Sequence, residues 1–205
     1  MVRGVFVTLE GGDGAGKSTQ TRLLADWLRI KGQEVVKTFE PGGTEVGQKI
    51  RDLLLHGNAL PPRAEALLFA ADRAHHVENV IRPALSRGAV VVSDRYIDSS
   101  IAYQGSGRAL NGDDIEKLSE WATDTLLPDL TVILDVPVAE GTTRRGGNPD
   151  RLERESIGFH ESVRQAFLDQ AEKHPERYLV LDARESIDDL HREITGRVDA
   201  LLETT

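Results

Sequence analysis

The sequence runs Gly11-Gly12-Asp13-Gly14-Ala15-Gly16-Lys17-Ser18 directly after a short apolar stretch at 5–9. Behind it, apolar residues recur with the spacing of one helix face, at Leu23, Leu24, Trp27 and Leu28. A G-x-x-x-x-G-K-S pattern between a strand and a helix predicts a phosphate-binding loop, because glycines let backbone N–H groups turn inward around phosphate oxygens. Lys17 would bring a positive charge to the β- and γ-phosphates, and the Ser18 hydroxyl would bind Mg²⁺. The alternative is a glycine-rich turn without a ligand.

The composition describes an acidic protein without cysteine. The 205 residues carry a net charge of −9, and 39% of them are hydrophobic, which is enough for a core. The negative charge argues against a nucleic-acid partner, and the lack of cysteine excludes disulfides and thiol catalysis. There is no signal peptide and no run of 18 apolar residues, so we expect a cytoplasmic protein without a membrane partner. The length suits one domain over residues 1–205.

Strand and helix patterns alternate along the chain. Apolar stretches predict five strands, at 5–9, 34–39, 89–93, 129–135 and 178–181. Helical patterns lie at 17–30, 45–55, 63–86, 112–126, 138–145, 155–173 and 186–203, while 97–106 is either a short helix or a loop. This alternation predicts an α/β fold in which a five-stranded parallel sheet lies between helices on both faces. Ligands of such sheets bind beyond the carboxyl ends of the strands, so functional residues are expected there.

Polar residues follow the third and the second predicted strand. Asp94-Arg95 follows the third, where the carboxylate can hold Mg²⁺ through water and the guanidinium can reach a phosphate. A surface ion pair is the ordinary alternative. Glu40-Pro41-Gly42-Gly43 follows the second strand and is either a simple turn or a rigid bend, with a cis Glu40–Pro41 bond, that positions an acceptor. Arg51, on the next helix, can point back to the same crevice.

The predicted helix at 63–86 carries two pairs of residues that need interpretation. Phe69 and Arg73 are four residues apart and share a helix face. They suit either core packing or a stacked base with a guanidinium at its polar edge, and the sequence favours neither. Adjacent side chains such as His75 and His76 point about 100° apart on a helix, so we expect structural roles for them and no shared metal.

Taken together, these residues resemble the bacterial thymidylate kinases, and the resemblance runs over nearly the whole chain. It is carried by the phosphate loop with Asp13 inside it, and by a series of short motifs in a specific order and spacing. These motifs are Glu40-Pro41-Gly42-Gly43-Thr44, Ile50-Arg51-Asp52-Leu53-Leu54-Leu55, Phe69 to Arg73, Asp94-Arg95-Tyr96, Ala102-Tyr103-Gln104-Gly105, Pro128-Asp129-Leu130, Asp150-Arg151-Leu152-Glu153 and Asp182-Ala183. The resemblance implies a three-layer P-loop kinase fold that transfers the γ-phosphoryl group of ATP to dTMP. It also implies a homodimer, which fits the apolar residues at 53–55 and 67–71.

The resemblance further implies roles for individual residues. ATP would bind Gly11, Gly12, Asp13, Gly14, Ala15, Gly16, Lys17, Ser18 and Thr19, with Arg184 near the adenine and Mg²⁺ at Ser18 and Asp94. The acceptor dTMP would contact Asp13, Glu40, Arg51, Phe69, Arg73, Arg95, Ser100, Tyr103 and Gln104. Lys17 and Arg95 would be catalytic, and Arg51 would help Arg95 to hold the acceptor phosphate. Phe69 would stack on thymine while Arg73 and Gln104 read its polar edge. Asp13 would face the sugar 3′-OH, and Tyr103 would crowd the 2′ position.

Some positions depart from the family pattern. Phe39 stands where many bacterial members have Arg, so it cannot supply a charge, and Phe167 stands where Tyr is common. Gly14 occupies a place in the phosphate loop where some members carry Arg. The predicted lid, at about 142–153, is shorter than in some relatives. The catalytic arginine must therefore come from another part of this chain.

Arginines flank the glycine-containing segment at 146–149. Arg144, Arg145 and Arg151 form either a solvated charged face or part of a lid at about 142–153. We expect Arg145 and Arg151 to close over the γ-phosphate as catalytic residues, because the transferring group needs a cation beyond Lys17 and Mg²⁺.

Two other functions remain to be distinguished from dTMP phosphorylation. The first is a related kinase with the same loop that acts on another nucleoside monophosphate. The second is a nucleotide-binding switch without transfer chemistry. A GTPase is disfavoured, because none of the six lysines forms the guanine-specifying N-K-x-D pattern.

Overall fold

The computed structural model describes residues 4–108, 110–144, 146 and 148–203. A five-stranded sheet lies at its centre, with strands β1 (Phe6–Glu10), β2 (Val35–Phe39), β3 (Val90–Asp94), β4 (Leu130–Asp135) and β5 (Tyr178–Asp182). The strand order is β2-β3-β1-β4-β5, and all four pairings are parallel. The predicted α/β class and its five parallel strands are thus confirmed.

Helices cover both faces of the sheet. They are α1 (Lys17–Ile30), α2 (Glu45–Arg51), α3 (Pro62–His76), α4 (Arg82–Ser86), α5 (Ile97–Ser100), α6 (Gly112–Thr123), α7 (Val138–Arg144), α8 (Ile157–Lys173) and α9 (Ile187–Leu202). Ser186 caps α9 by accepting a hydrogen bond from the Asp189 N–H. Within the part of the chain that the structure describes, none of the helices is long and apolar enough to cross a membrane.

The alternation of side chains along β1 explains why hydrophobic residues pack on both faces of the sheet. Val7 and Leu9 pack on the face covered by α1 and α9, in a cluster that includes Leu24 and Ile194. Their neighbours in sequence point to the opposite face, where Phe6 packs in a second cluster with residues of α4 and β3. By the same period of two, Glu10 at the end of β1 falls on the face of Phe6. A carboxylate is therefore directed into the protein interior.

Three predicted helical segments include π-helical turns. The structure has π-helix at Asp52–His56, Val77–Ile81 and Ile101–Gly107, each directly after an α-helix. The segment at 77–81 precedes Pro83, which cannot donate the usual hydrogen bond to residue 79. The prediction that α6 continues to residue 126 was wrong, because Asp124 and Thr125 adopt left-handed backbone angles that end the helix at Thr123.

The position of β1 determines where a ligand can bind. This strand lies between β3 and β4. The chain first places β2 and β3 on one side of β1 and then places β4 and β5 on the other side. A crevice opens beyond the carboxyl ends of the strands at such a point. Leu9 pairs with Asp94, so the loop after β1 lies beside the loop after β3.

Candidate active site

A cleft of about 630 Å³ opens at the carboxyl ends of β1, β2 and β3. Most of the residues predicted to bind nucleotides line it. They are Asp13, Gly14, Gly16, Lys17, Ser18, Thr19, Glu40, Arg51, Phe69, Arg73, Asp94, Arg95, Ser100, Tyr103 and Gln104. One concave site thus brings together the phosphate loop, the bend after β2, one face of α3 and the segment after β3. A cavity of this size and polarity suits small-molecule ligands.

The phosphate loop has the backbone that its glycines predict. Gly11 and Gly14 have φ values of 130° and 76°, in the region that favours glycine. A Cβ atom on Gly14 would overlap the carbonyl oxygen of Gly141 in α7, so the loop and this helix meet at two glycines. Because α1 begins at Lys17, its first N–H groups have no partners within the helix and can bind an anion at the loop.

Lys17 is buried at the base of the loop. Its ammonium donates hydrogen bonds to the carbonyl oxygens of Gly11 at 3.1 Å and Gly12 at 2.7 Å. Burial, and then the nearby Arg95, lower the pKa of Lys17 from its ordinary value. A polyanion in the cleft would oppose both effects, since it would stabilise the charged ammonium.

Ser18 and Asp94 bring two side-chain oxygens together in the lining of the cleft. The Ser18 hydroxyl donates to the Asp94 carboxylate at 2.7 Å. Mg²⁺ prefers one or two protein oxygens together with phosphate oxygens and water, so this pair fits the ion. Among the described residues, there is no cluster of three or more His, Asp or Glu that could hold a metal without a ligand's help.

Arg95 connects the loop after β3 to the phosphate loop. Its φ of 72° is rare for a residue with a side chain, and its N–H donates to the Leu9 carbonyl oxygen at 3.0 Å. Its guanidinium donates to Asp13 at 2.6 Å and to the Tyr103 hydroxyl at 3.2 Å. The Tyr103 hydroxyl lies 3.4 Å from the other Asp13 oxygen. These three side chains form a network across the centre of the cleft.

Glu10 supports this network from the protein interior, because it binds Ser99, which in turn binds Arg95. From the sequence alone, Glu10 has no assigned role. Its buried carboxylate accepts hydrogen bonds from the Tyr96 N–H at 2.7 Å and the Ser99 hydroxyl at 2.6 Å. Burial, with a contribution from the negative charge of Asp98, raises the pKa of Glu10 to about 8. A charged residue that ends an otherwise apolar strand was the available signal.

We expect Glu10 to make folding stability depend on pH. Because its pKa is raised in the folded state, folded protein retains a proton between pH 4.5 and about 8 that unfolded protein releases. The free energy of unfolding should therefore fall as pH rises through this window, by about 5 kcal/mol at most. Urea unfolding should show a flatter profile for Glu10→Gln than for wild type. The comparison is cleanest above about pH 6, because burial and Glu40 raise the pKa of Asp72 to about 6. Equal slopes in both proteins would contradict the assignment.

Side chains of α3 hold the bend after β2 in place. Glu40 accepts hydrogen bonds from Arg73 Nε and His76 Nδ1, each at 2.8 Å, and all three side chains are buried. Burial alone would raise the pKa of Glu40, but Arg73 and His76 outweigh burial and lower it. The Glu40–Pro41 bond is cis. The structure thus forms the rigid bend, and His76 has the structural role predicted for it.

Arg73 is buried and also lines the cleft. Its side chain is only 2% exposed and also donates to the Ser100 hydroxyl at 2.9 Å and the Tyr96 carbonyl oxygen at 3.0 Å. It still lines the cleft, as does Phe69 one turn earlier. The guanidinium is therefore fixed in place before any ligand arrives.

Arg51 and Phe39 lie at the mouth of the cleft. Arg51 donates to the Pro41 carbonyl oxygen at 2.8 Å, and its guanidinium carbon lies 5.8 Å from the centre of the Phe39 ring. Phe39 is 41% exposed although it lines the cleft. The phenylalanine found in place of a family arginine thus packs beside the remaining arginine.

Arg151, one of the arginines predicted for the lid, is held by residues outside the phosphate loop. Arg151 Nε donates to the Leu54 carbonyl oxygen at 2.8 Å, and its Nη2 lies 2.6 Å from the buried Glu65 carboxylate. These contacts argue against the predicted role of Arg151 at the transferring phosphate, because a buried carboxylate attracts and holds the guanidinium. Arg145 lies outside the described residues.

Arg144 and Arg184 lie beyond the phosphate loop. Arg144 lines the cleft, and its guanidinium donates to the Ala183 carbonyl oxygen at 2.6 Å. Arg184 is exposed and pairs with Asp182 at 2.6 Å. Arg144 therefore joins the loop after β5 to the cleft. From the sequence alone, Arg144 is assigned only to a solvated charged face or to a lid.

Comparison with known proteins identifies the family. The thymidylate kinase family model matches residues 9–194. The thymidylate kinase of Clavibacter michiganensis subsp. michiganensis is 57% identical over 203 residues, which cover 97% of this chain and 96% of that protein. The thymidylate kinase of Cutibacterium acnes is 53% identical, with coverages of 97% and 98%.

A solved structure agrees with these matches. The crystal structure of thymidylate kinase from Ehrlichia chaffeensis superposes with a TM-score of 0.81 at 35% sequence identity. The superposition covers 96% of this chain and 99% of the other. Sequence and fold thus agree over nearly the full length, and the chain belongs to the thymidylate kinase family.

Proposed function

We propose that the cleft transfers the γ-phosphoryl group of ATP to dTMP and releases ADP and dTDP. The observation that carries this proposal is the contact of Arg95 with both Asp13 and Tyr103. This contact fixes one cation between two parts of the cleft. The donor would bind at the phosphate loop, and the acceptor would bind where Phe69 and Arg73 of α3 line the cleft. Phosphoryl transfer needs both phosphates side by side in such a field of positive charge.

The acceptor needs little activation. A phosphate monoester has a second pKa near 6 and is largely dianionic at neutral pH, so its oxygen is already a nucleophile. The difficulty is to bring two polyanions together. We assign this task to Lys17, to Arg95 and to the first N–H groups of α1, which can stabilise charge as it shifts from nucleophile to leaving group.

The groups around the donor follow from the geometry of the loop. The β- and γ-phosphates would replace the Gly11 and Gly12 carbonyl oxygens as the partners of Lys17. Mg²⁺ would be held by Ser18 and, directly or through water, by Asp94, and when bound it neutralises phosphate charge. Arg144, with the loop that contains Arg184, would lie near the adenine.

The acceptor residues divide by chemistry. Arg51 and Arg95 would hold the phosphate, and Asp13 would face the sugar 3′-OH. Phe69 offers a ring face for thymine, and Gln104 and the fixed guanidinium of Arg73 would read its polar edge. Glu40 and Ser100 would act through Arg73, since both bind its guanidinium. We further propose a homodimer, a cytoplasmic location, a single domain and a lid at about 142–153.

One assay distinguishes this activity from its alternatives. ADP release would be measured by a coupled assay with each common ribo- and deoxyribonucleoside monophosphate. We expect kcat/KM for dTMP to exceed that for each of the others. A preference for another monophosphate would indicate the related kinase, and ATP binding without ADP release would indicate a switch.

Tyr103 should determine the choice between deoxyribose and ribose. Its ring is buried and its hydroxyl is held by Arg95, so it can fill the space beside C2′ without moving. Tyr103→Ala should therefore lower the ratio of kcat/KM for dTMP to that for 5-methyluridine monophosphate by about tenfold or more. Tyr103→Phe is the matched control, because it removes the hydroxyl but keeps the ring, and it should preserve the ratio. Discrimination that survives in Tyr103→Ala would place its source elsewhere.

A further inference from the structure

A buried carboxylate, Glu65, lies behind the residue expected to read the base. Glu65 belongs to α3 and its side chain is fully buried. One of its oxygens accepts a hydrogen bond from the Gln104 side-chain amide at 3.0 Å, and Gln104 is itself 1% exposed and lines the cleft. Glu65 therefore contacts a residue that lines the cleft, although it is not itself part of the lining.

Two arginines keep Glu65 ionised. Arg108 donates to both of its oxygens at 3.1 Å, and Arg151 lies 2.6 Å from one of them. Burial alone would raise the pKa of Glu65, but the hydrogen bonds from Arg108 and Gln104 and the close contact with Arg151 outweigh burial and lower it. An ionised carboxylate only accepts hydrogen bonds.

This chemistry determines which way the Gln104 amide is turned. A glutamine amide can be placed in two orientations that exchange its nitrogen and its oxygen. Beside an acceptor-only carboxylate the nitrogen must face Glu65, because the other orientation would set two acceptors against each other in a buried site. The carbonyl oxygen then remains as the acceptor that Gln104 can offer to a ligand.

We propose that Glu65 is a positioning residue that sets the base specificity of the cleft by fixing the Gln104 amide with its oxygen available to the base. This inference rests on the proposed function. An acceptor at this place selects a pyrimidine whose ring N3 carries hydrogen, as in thymine and uracil. Cytosine presents a lone pair at N3, so the fixed carbonyl oxygen repels it.

The test compares dTMP with dCMP in Glu65→Gln. A glutamine at position 65 can donate as well as accept, so the Gln104 amide becomes free to turn. We expect the ratio of kcat/KM for dTMP to that for dCMP to fall by about tenfold or more. General damage to the fold would lower both values together and leave the ratio unchanged. An unchanged ratio in active Glu65→Gln would overturn the role of Glu65, whereas a wild-type enzyme inactive on dTMP would overturn the proposed function on which it rests.

Two controls isolate the contact. Glu155 also binds Arg108, at 2.6 Å, and no contact joins it to Gln104 among the hydrogen bonds of the described residues. Glu155→Gln should therefore keep the ratio within about twofold of wild type. In a Gln104→Leu background, Glu65→Gln should not change the ratio further, because the amide on which it acts is gone. A further fall in that background would overturn the proposal.

A measurement on wild-type protein covers the case in which Glu65→Gln does not fold. In ¹⁵N-labelled protein, the Gln104 side-chain amide signal is assigned by its loss in Gln104→Leu. Binding to a carboxylate should shift one of its two protons downfield and slow its exchange with water, before and after dTMP is added. Shifts typical of a free glutamine amide would overturn the proposal.

Discussion

Replacing Lys17 by Ala is expected to lower kcat by at least about 100-fold, the order found when one preorganised charge is lost from a site that stabilises developing negative charge. The ammonium is buried at the base of the loop and reaches two loop carbonyl oxygens, so it is aimed before the nucleotide arrives. The fold should remain intact, because no part of the hydrophobic core depends on this side chain. Circular dichroism and single-turnover transfer at saturating ATP and dTMP would test both expectations.

Lys37 provides the matched control for Lys17. It also lines the cleft, but its side chain is exposed in the middle of β2. Lys37→Ala removes the same charge from the same cavity and should change kcat by no more than a few fold. Similar losses in the two variants would show that the cleft needs only its overall charge. Near-normal kcat in Lys17→Ala would contradict the assignment of the phosphate loop.

Replacing Arg95 by Ala should slow transfer by about 1,000-fold or more, since arginines that stabilise the transferring phosphoryl group contribute about 10³–10⁵ in rate. Arg95 lies between the phosphate loop and the part of the cleft proposed for dTMP. Its guanidinium is fixed by contacts with Asp13, Ser99 and Tyr103. Its loss should appear in the single-turnover rate at saturating substrates, where weaker binding has no effect. Arg95→Lys should recover only part of the rate, because the compact ammonium of lysine cannot reproduce the contacts that the guanidinium makes with all three side chains.

Arg151→Ala is the informative comparison for Arg95. The sequence predicts a catalytic arginine at position 151, whereas the structure places it on Glu65 and Leu54. We expect this variant to unfold more easily, because a buried carboxylate loses one of its cations, but to retain the single-turnover rate. A loss in Arg151→Ala comparable to that in Arg95→Ala would restore the predicted role at the γ-phosphate.

The fold was readable from the sequence because its signals are local. Apolar stretches such as 89–93 and turn-forming glycines such as Gly88 show where each parallel strand begins and ends. The glycine-rich loop with Lys17 indicates the carboxyl edge of the sheet. The strand register then brings Asp94 to Ser18 without further information.

The buried polar contacts were not readable, since they join residues that are distant in sequence. Glu65 reaches residues 104, 108 and 151, so no pattern around position 65 reveals its partners. The same contact argues against the catalytic role predicted for Arg151. A charged residue in a loop looks free in a sequence, and only the folded chain shows the carboxylate that holds it.

The meeting of Gly14 with Gly141 has a consequence for how this enzyme can change. Their backbones touch, so even one methyl group at position 14 would collide with α7, and a Cβ at position 141 would press on the Asp13 carbonyl oxygen. An arginine in the loop, as some family members have, is therefore out of reach by a single substitution. A lineage that starts from this chain would first have to move α7 away from the loop. The backbone at Gly14 and Gly141 thus limits which part of the chain can supply the catalytic charge. An arginine introduced at position 14 should not be accommodated unless α7 is replaced together with the loop.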